Sequence, residues 1–187
     1  QSIRSVLHEI EKKQEKSGSS ITIGNAFLAI SGQHIKSDSY LGMTQVQGDR
    51  VNADDITAVG ENARQMPLPK GRELLDIVDR DYELDALGGI ADPKGMAGRV
   101  LKLNTLLIHA DHNRIQDARM AANSAHLEIR EPLFATTCAA DAVLEDYERK
   151  NGVLVLDLGG GSTGYAVYSD GYLAVSGVIG VGGDHVT

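Results

Sequence analysis

Val153-Leu154-Val155-Leu156-Asp157-Leu158-Gly159-Gly160-Gly161-Ser162-Thr163 decides how this chain is read. A buried apolar strand is expected to deliver one carboxylate and then break into three glycines and two hydroxyls. A plain strand end needs none of that chemistry. A tight turn whose backbone N–H groups face a phosphate does. Glycines let the main chain approach an anion closely and adopt positive φ. Ser162 and Thr163 add hydroxyl donors. Asp157 cannot hold a phosphate, but it can hold a hydrated Mg²⁺ that does.

Working outward, the chain resumes as a strand at Tyr165-Ala166-Val167-Tyr168, turns at Ser169-Asp170-Gly171, and returns at Tyr172-Leu173-Ala174-Val175. It closes with Ile179-Gly180-Val181-Gly182-Gly183-Asp184-His185. A Walker A loop or a dinucleotide fingerprint would need a helix straight after the glycines. A returning strand disfavours both. A glycine-rich hairpin with an incidental aspartate is the plainer alternative.

Upstream, Ile3, Val6, Leu7 and Ile10 follow helical spacing. Residues 16–20 read as a loop. Residues 21–31 read as strand with a break at Gly24-Asn25, and residues 34–46 as a further strand or hairpin. Asn52-Ala53-Asp54-Asp55 caps a helix over about 54–65, which Pro67 and Pro69 stop. Strands are expected over Leu74–Leu84 and Val100–Ile108, with a Gly/Pro-rich segment between them. A helix is expected over 112–125, packing through Ile115, Ala118, Met120, Ala121 and Ala122. A short strand follows at Leu127–Ile129. Pro132 then opens a helix running to about Lys150.

Composition narrows the function classes. With 187 residues and 42% hydrophobic content the chain can build a core, aliphatic because aromatics are only 4%. The net charge of −8, with no Lys/Arg cluster, argues against nucleic acid or an anionic membrane as partner. The single cysteine, Cys138, excludes an internal disulfide and reads as a buried thiol. No apolar run is long enough to span a bilayer. Six histidines are scattered; His109 and His112 share a strand end but find no third metal ligand.

The strand–Asp-x-Gly-Gly-Gly-Ser-Thr–strand run with its later Val-Gly-Gly-x-His resembles the second phosphate loop of the actin and heat-shock chaperone ATPase superfamily. Phe27-Leu28-Ala29-Ile30-Ser31-Gly32-Gln33-His34-Ile35-Lys36-Ser37 is similar to the strand that leads into the inserted subdomain of the FtsA family. Gly88-Gly89-Ile90-Ala91-Asp92-Pro93-Lys94-Gly95-Met96-Ala97-Gly98 resembles the Asp-Pro-x-Gly-Met-x-Gly segment of that insertion.

The resemblance implies an α/β chain: a partial actin-like (ribonuclease H-like) ATPase fold with an inserted α+β subdomain of the 1C type. Residues 1–32 and 111–150 would belong to the first actin-like half, 33–110 to the insertion, and 151–187 to the opening meander of the second half. ATP and Mg²⁺ would be held by Gly159, Gly160, Gly161, Ser162 and Thr163, with Asp157 reaching the metal through water. Gly182 and Gly183 would close over the terminal phosphate, and Glu131 would orient water. Gly164 departs from relatives that carry a polar or acidic residue there, which puts efficient hydrolysis in question while leaving binding intact.

The implied function is an ATP-binding cell-division adaptor with at most weak ATPase activity. It would polymerise, link the FtsZ ring to the membrane and contact later division proteins. It would sit in the cytoplasm at the inner face of the membrane at the division site. A PilM-like pilus-assembly adaptor is the alternative, and a sugar or acetate kinase a more distant one. The first phosphate loop, the adenosine pocket, the FtsZ-tail site and the membrane helix find no counterpart here, so the chain reads as a fragment. By itself it is expected to bind nucleotide poorly. The meander is expected to expose a strand edge, which could pair with a second copy or with residues 21–31.

Overall fold

The computed structural model describes residues 2–16 and 23–186. Most of the loop expected at 16–20, and the first two residues of the strand expected at 21–31, lie outside the described residues. The chain runs α1 (Ser2–Lys16), β1 (Asn25–Ile30), β2 (Lys36–Gln45), α2 (Ala53–Arg64), β3 (Arg72–Leu84), β4 (Leu87–Ile90) and β5 (Val100–Asp111). It continues with α3 (His112–Asn123), β6 (Glu128–Phe134), α4 (Ala135–Val143), α5 (Asp146–Asn151), β7 (Val153–Leu158), β8 (Thr163–Ser169) and β9 (Tyr172–Ile179). A 3₁₀ turn at Gly183–His185 follows.

Three sheets result. β2-β5-β3-β4 is antiparallel, β7-β8-β9 is an antiparallel meander, and β1 pairs in parallel with β6. The central strand β5 shows why the first of these is two-sided. Leu101 and Leu103 point one way and pack with Val51, Val59, Ala63 and Leu84 under α2. Leu106, Ile108 and Ala110 point the other way and join Ile30, Phe134, Ala166, Tyr168 and Leu173. The segment from β2 to β5 therefore has its own sheet and a core of its own, and it shares a second core with the meander and with β1 and β6.

Local chemistry sets the element ends. The Asn52 side chain accepts from the amides of Asp54 and Asp55, and the Asp55 carboxylate returns the bond to the Asn52 amide, closing a capping box at the start of α2. Asp170 (φ 56°) and Gly171 (φ 89°) make the two-residue turn between β8 and β9, the left-handed pair that matches strand twist. The Asp-Pro-x-Gly-Met run is a packed loop. Asp92 Oδ1 accepts from the Lys94 amide at 3.0 Å. Gly95 (φ 81°) donates to the Val51 carbonyl, and Val51 donates to that of Met96.

The second half of the sequence differs from expectation in several places. Pro132 does not open a helix: β6 continues through it, and Leu28, Ala29 and Ile30 pair with Pro132, Leu133 and Phe134. Proline is tolerated there because β6 is an edge strand of a two-stranded sheet. The helix expected to reach Lys150 starts at Ala135, breaks after Val143 and restarts as α5, because Leu144 and Glu145 are extended and Glu145 with Glu148 forms a new capping box. On α3 only Ile115 and Ala122 are buried, and Met120 is 61% exposed. β1 pairs with β6 and not with the meander, so residues 25–30 do not cover its edge. Cys138 is half-buried, and burial raises its thiol pKa.

Candidate functional site: the glycine turn between β7 and β8

Along β7 the side chains alternate. Val153, Val155 and Asp157 face the shared core, and Leu154, Leu156 and Leu158 face outward. Asp157 is thus the last inward residue before the turn, at a strand end where a carboxylate keeps contact with water. Its carboxylate has no hydrogen bond or ion pair among the described residues.

The turn is closed by the Gly159 amide, which donates to the Ser162 carbonyl at 3.0 Å. The amides of Gly160, Gly161 and Ser162 donate to no protein group among the described residues. Three consecutive free N–H groups on an exposed turn are the donor set an anion requires. None of the three glycines adopts positive φ. Main-chain space dictates one of them, and a side-chain tip presses on a second. A Cβ at Gly159 would meet the Ser162 carbonyl at 2.9 Å, and one at Gly160 would meet Asp184 Oδ2 at 3.0 Å. A Cβ at Gly161 would meet nothing within 4 Å, so there the glycine keeps the approach open.

The segment after β9 folds back onto this turn. Gly183 donates to the Gly159 carbonyl and Asp184 to that of Gly160, both at 2.9 Å. The Gly182 amide donates to His185 Nδ1 at 3.1 Å. Gly182 and Gly183 therefore stand beside the glycine turn, as the sequence placed them, but their amides are engaged in clipping it. Thr163 is likewise engaged: its hydroxyl donates to the Val181 carbonyl at 2.7 Å, and the residue is 5% exposed. Ser162 remains the hydroxyl free to turn outward.

Glu131 is exposed on β6, and no hydrogen bond or ion pair joins it to the turn among the described residues. Its charge is felt instead by Asp76, whose carboxyl is pushed above its ordinary range, first by burial and further by Asp141 and Glu131.

His109 and His112 separate into different networks. His109 is buried, accepts from Arg72 Nε at Nδ1 (2.8 Å) and so presents Nε2–H to Asp38 Oδ2 (2.8 Å). His112 meets Glu73 at 2.9 Å. Among the described residues no cluster of three metal-ligating side chains occurs. A cleft of ≈ 540 Å³ lies at the opposite end of the meander, lined by Asp79, Arg80, Asp81 and Tyr172. Arg80 is already committed there, its guanidinium donating to the carbonyls of Leu173 and Ala174.

The sequence did not single out Thr136. It lies in the first turn of α4, is fully buried, and its hydroxyl has no partner among the described residues. A Cβ at Gly164 would fall 1.9 Å from that hydroxyl oxygen. The bare glycine at 164 was visible in the sequence; the helix residue filling its space was not.

Residues 32–109 match the family described as the SHS2 domain inserted in FtsA. The chain is 29% identical over 185 residues to the cell division protein FtsA of Pseudomonas aeruginosa, covering 99% of this chain and 44% of that protein. It is 29% identical over 187 residues to FtsA of Neisseria meningitidis, covering 100% and 44%. It is 31% identical over 168 residues to FtsA of Agrobacterium fabrum, covering 89% and 38%. The chain thus spans less than half the length of these relatives. The chain is similar to FtsA: residues 32–109 match the SHS2 domain inserted in FtsA, and the flanking segments align with FtsA cell division proteins as well.

Proposed function

We propose that the protein carrying this chain is an ATP-binding, actin-like cell-division adaptor that polymerises and joins the FtsZ ring to the membrane and to later division proteins. The observation that carries the nucleotide part is the exposed turn with three free amides, clipped from behind by Gly183 and Asp184. Its donors suit phosphate oxygens. Asp157, inward-facing and without a protein partner, suits the water shell of a phosphate-bound Mg²⁺. Bound magnesium would neutralise phosphate charge there. The chain's own residues would hold the phosphate and set its distance from β7.

Binding rather than hydrolysis is the working activity. Position 164 carries no side chain to order an attacking water, and Glu131, on β6, makes no hydrogen bond or ion pair with the turn among the described residues. Among the described residues no helix is long and apolar enough to cross a membrane. The test is co-sedimentation of full-length protein with vesicles and FtsZ, with and without Mg·ATP. Nucleotide-dependent filaments that retain FtsZ on vesicles support the reading. A protein that binds neither nucleotide nor FtsZ contradicts it.

A further inference from the structure

The inner side of the glycine turn carries a feature that rests on the nucleotide-binding reading. Thr137 uses its hydroxyl on the Phe134 carbonyl at 2.9 Å. Its neighbour Thr136 does not: the residue is 0% exposed and its Oγ1 has no partner among the described residues. A buried hydroxyl left unpaired is costly, and valine would fill the same volume without that cost. A threonine retained in such a place points to a bond made in another state.

Its position says with what. The hydroxyl lies against the Cα of Gly164, in the space a side chain at 164 would occupy. Gly164 is the cross-strand partner of Asp157. Paired residues direct their Cβ atoms to the same face of a sheet. The Thr136 hydroxyl and the Asp157 carboxylate therefore flank one spot beneath the turn, each without a protein partner. The helix that brings Thr136 there has no side-chain cap at Phe134. Its uncapped first-turn amides favour negative charge at that end.

We propose that Thr136 is a positioning residue for the nucleotide site. Standing in for the side chain that position 164 lacks, its hydroxyl donates to one oxygen of Asp157 and leaves the other for the water shell of nucleotide-bound magnesium. The polar group that β8 does not supply comes instead from α4. This assigns the site's metal sensitivity to a residue outside the glycine motif and leaves the phosphate contacts of the turn untouched.

The test uses full-length protein and calorimetric titration with Mg·ATP, and with ATP in excess chelator, on wild type, Thr136→Val, Thr136→Ser and Asp157→Ala. Thermal unfolding is followed without nucleotide. Thr136→Val is expected to weaken Mg·ATP binding by roughly tenfold, the usual size of an outer-sphere effect on a metal site. It should leave metal-free ATP binding unchanged and melt at or above the wild-type temperature. Thr136→Ser should bind as wild type does. If the valine variant does not fold, Thr136→Ala against Thr136→Ser decides on the same readouts. A hydroxyl-free variant that binds Mg·ATP like wild type while Asp157→Ala is weakened overturns the role of Thr136 alone. Equal losses with and without magnesium overturn it too. A wild type that binds no Mg·ATP overturns this inference together with the reading beneath it.

Discussion

Gly182 presses against the glycine turn so closely that a Cβ on it would sit 2.3 Å from the Gly160 carbonyl oxygen and 2.5 Å from that of Gly159. Both clashes are with main chain, which cannot move aside as a side-chain tip can. Gly182→Ala must therefore open the clip formed by the Gly183–Gly159 and Asp184–Gly160 hydrogen bonds. A loosened turn must be re-formed on binding, so Mg·ATP binding in full-length protein should weaken by at most about tenfold, the equivalent of one net hydrogen bond. Hydrogen exchange should show faster amide exchange at 183 and 184. Unchanged exchange there would mean the turn is held by other contacts.

The β2-β5-β3-β4 sheet meets α2 at Gly42. A Cβ there would lie 2.7 Å from Ala63 Cβ and 2.8 Å from the Val59 carbonyl. Gly42→Ala is expected to push α2 off β2 and to cost about 1–3 kcal/mol, as overpacking does. The midpoint of urea unfolding reads the effect.

Asp55 tests the same helix from its other end. It is 2% exposed, and its carboxylate accepts from the amides of Gln47 and Asn52, both at 2.9 Å. Asp55→Ala leaves both donors unpaired and is expected to cost about 2–3 kcal/mol. Asn52→Ala, losing the cap alone, should cost about 1 kcal/mol. Equal losses in the two variants would place the cost in helix capping and not in the buried carboxylate.

Two groups give opposite pH signatures. Burial raises the Asp76 carboxyl above its ordinary 3.8. Its favourable contribution is complete below that value and is lost as pH rises through the folded pKa. Asp76→Asn should therefore raise the melting temperature near neutral pH, and the gain should fade toward about pH 4. For His34, burial leads and Arg114 and Arg72 add to lowering the imidazole below 6.5. Its neutral form is the one the fold prefers. Stability is complete above 6.5 and declines as pH falls below it, so His34→Gln should flatten the slope on that side. A His34→Gln profile parallel to wild type would remove the imidazole from the account.

Much of this was legible because the signals were local. The Asp170-Gly171 turn and the Asn52 cap each follow from a few adjacent residues. The run Val153-Leu154-Val155-Leu156 reads as a buried strand, and only the fold turns Leu154 and Leu156 outward. What misled was proline. Pro132 fits a helix start by local rule, yet parallel pairing with β1, a contact across a hundred residues, holds it in a strand. The same long-range packing hid Thr136, whose meaning lies in the glycine it faces at 164. The hydroxyl of Thr163 looked like a phosphate donor until the fold-back of Val181 engaged it.

The most direct test of the account is calorimetric titration of full-length protein and its Asp157→Ala variant with Mg·ATP. Asp157 has no other partner among the described residues, so removing it should spare the fold, with an unchanged melting temperature. The account predicts affinity for Mg·ATP weakened by about tenfold or more in the variant. Equal affinity in the two proteins would contradict the assignment of residues 157–163 as the nucleotide site.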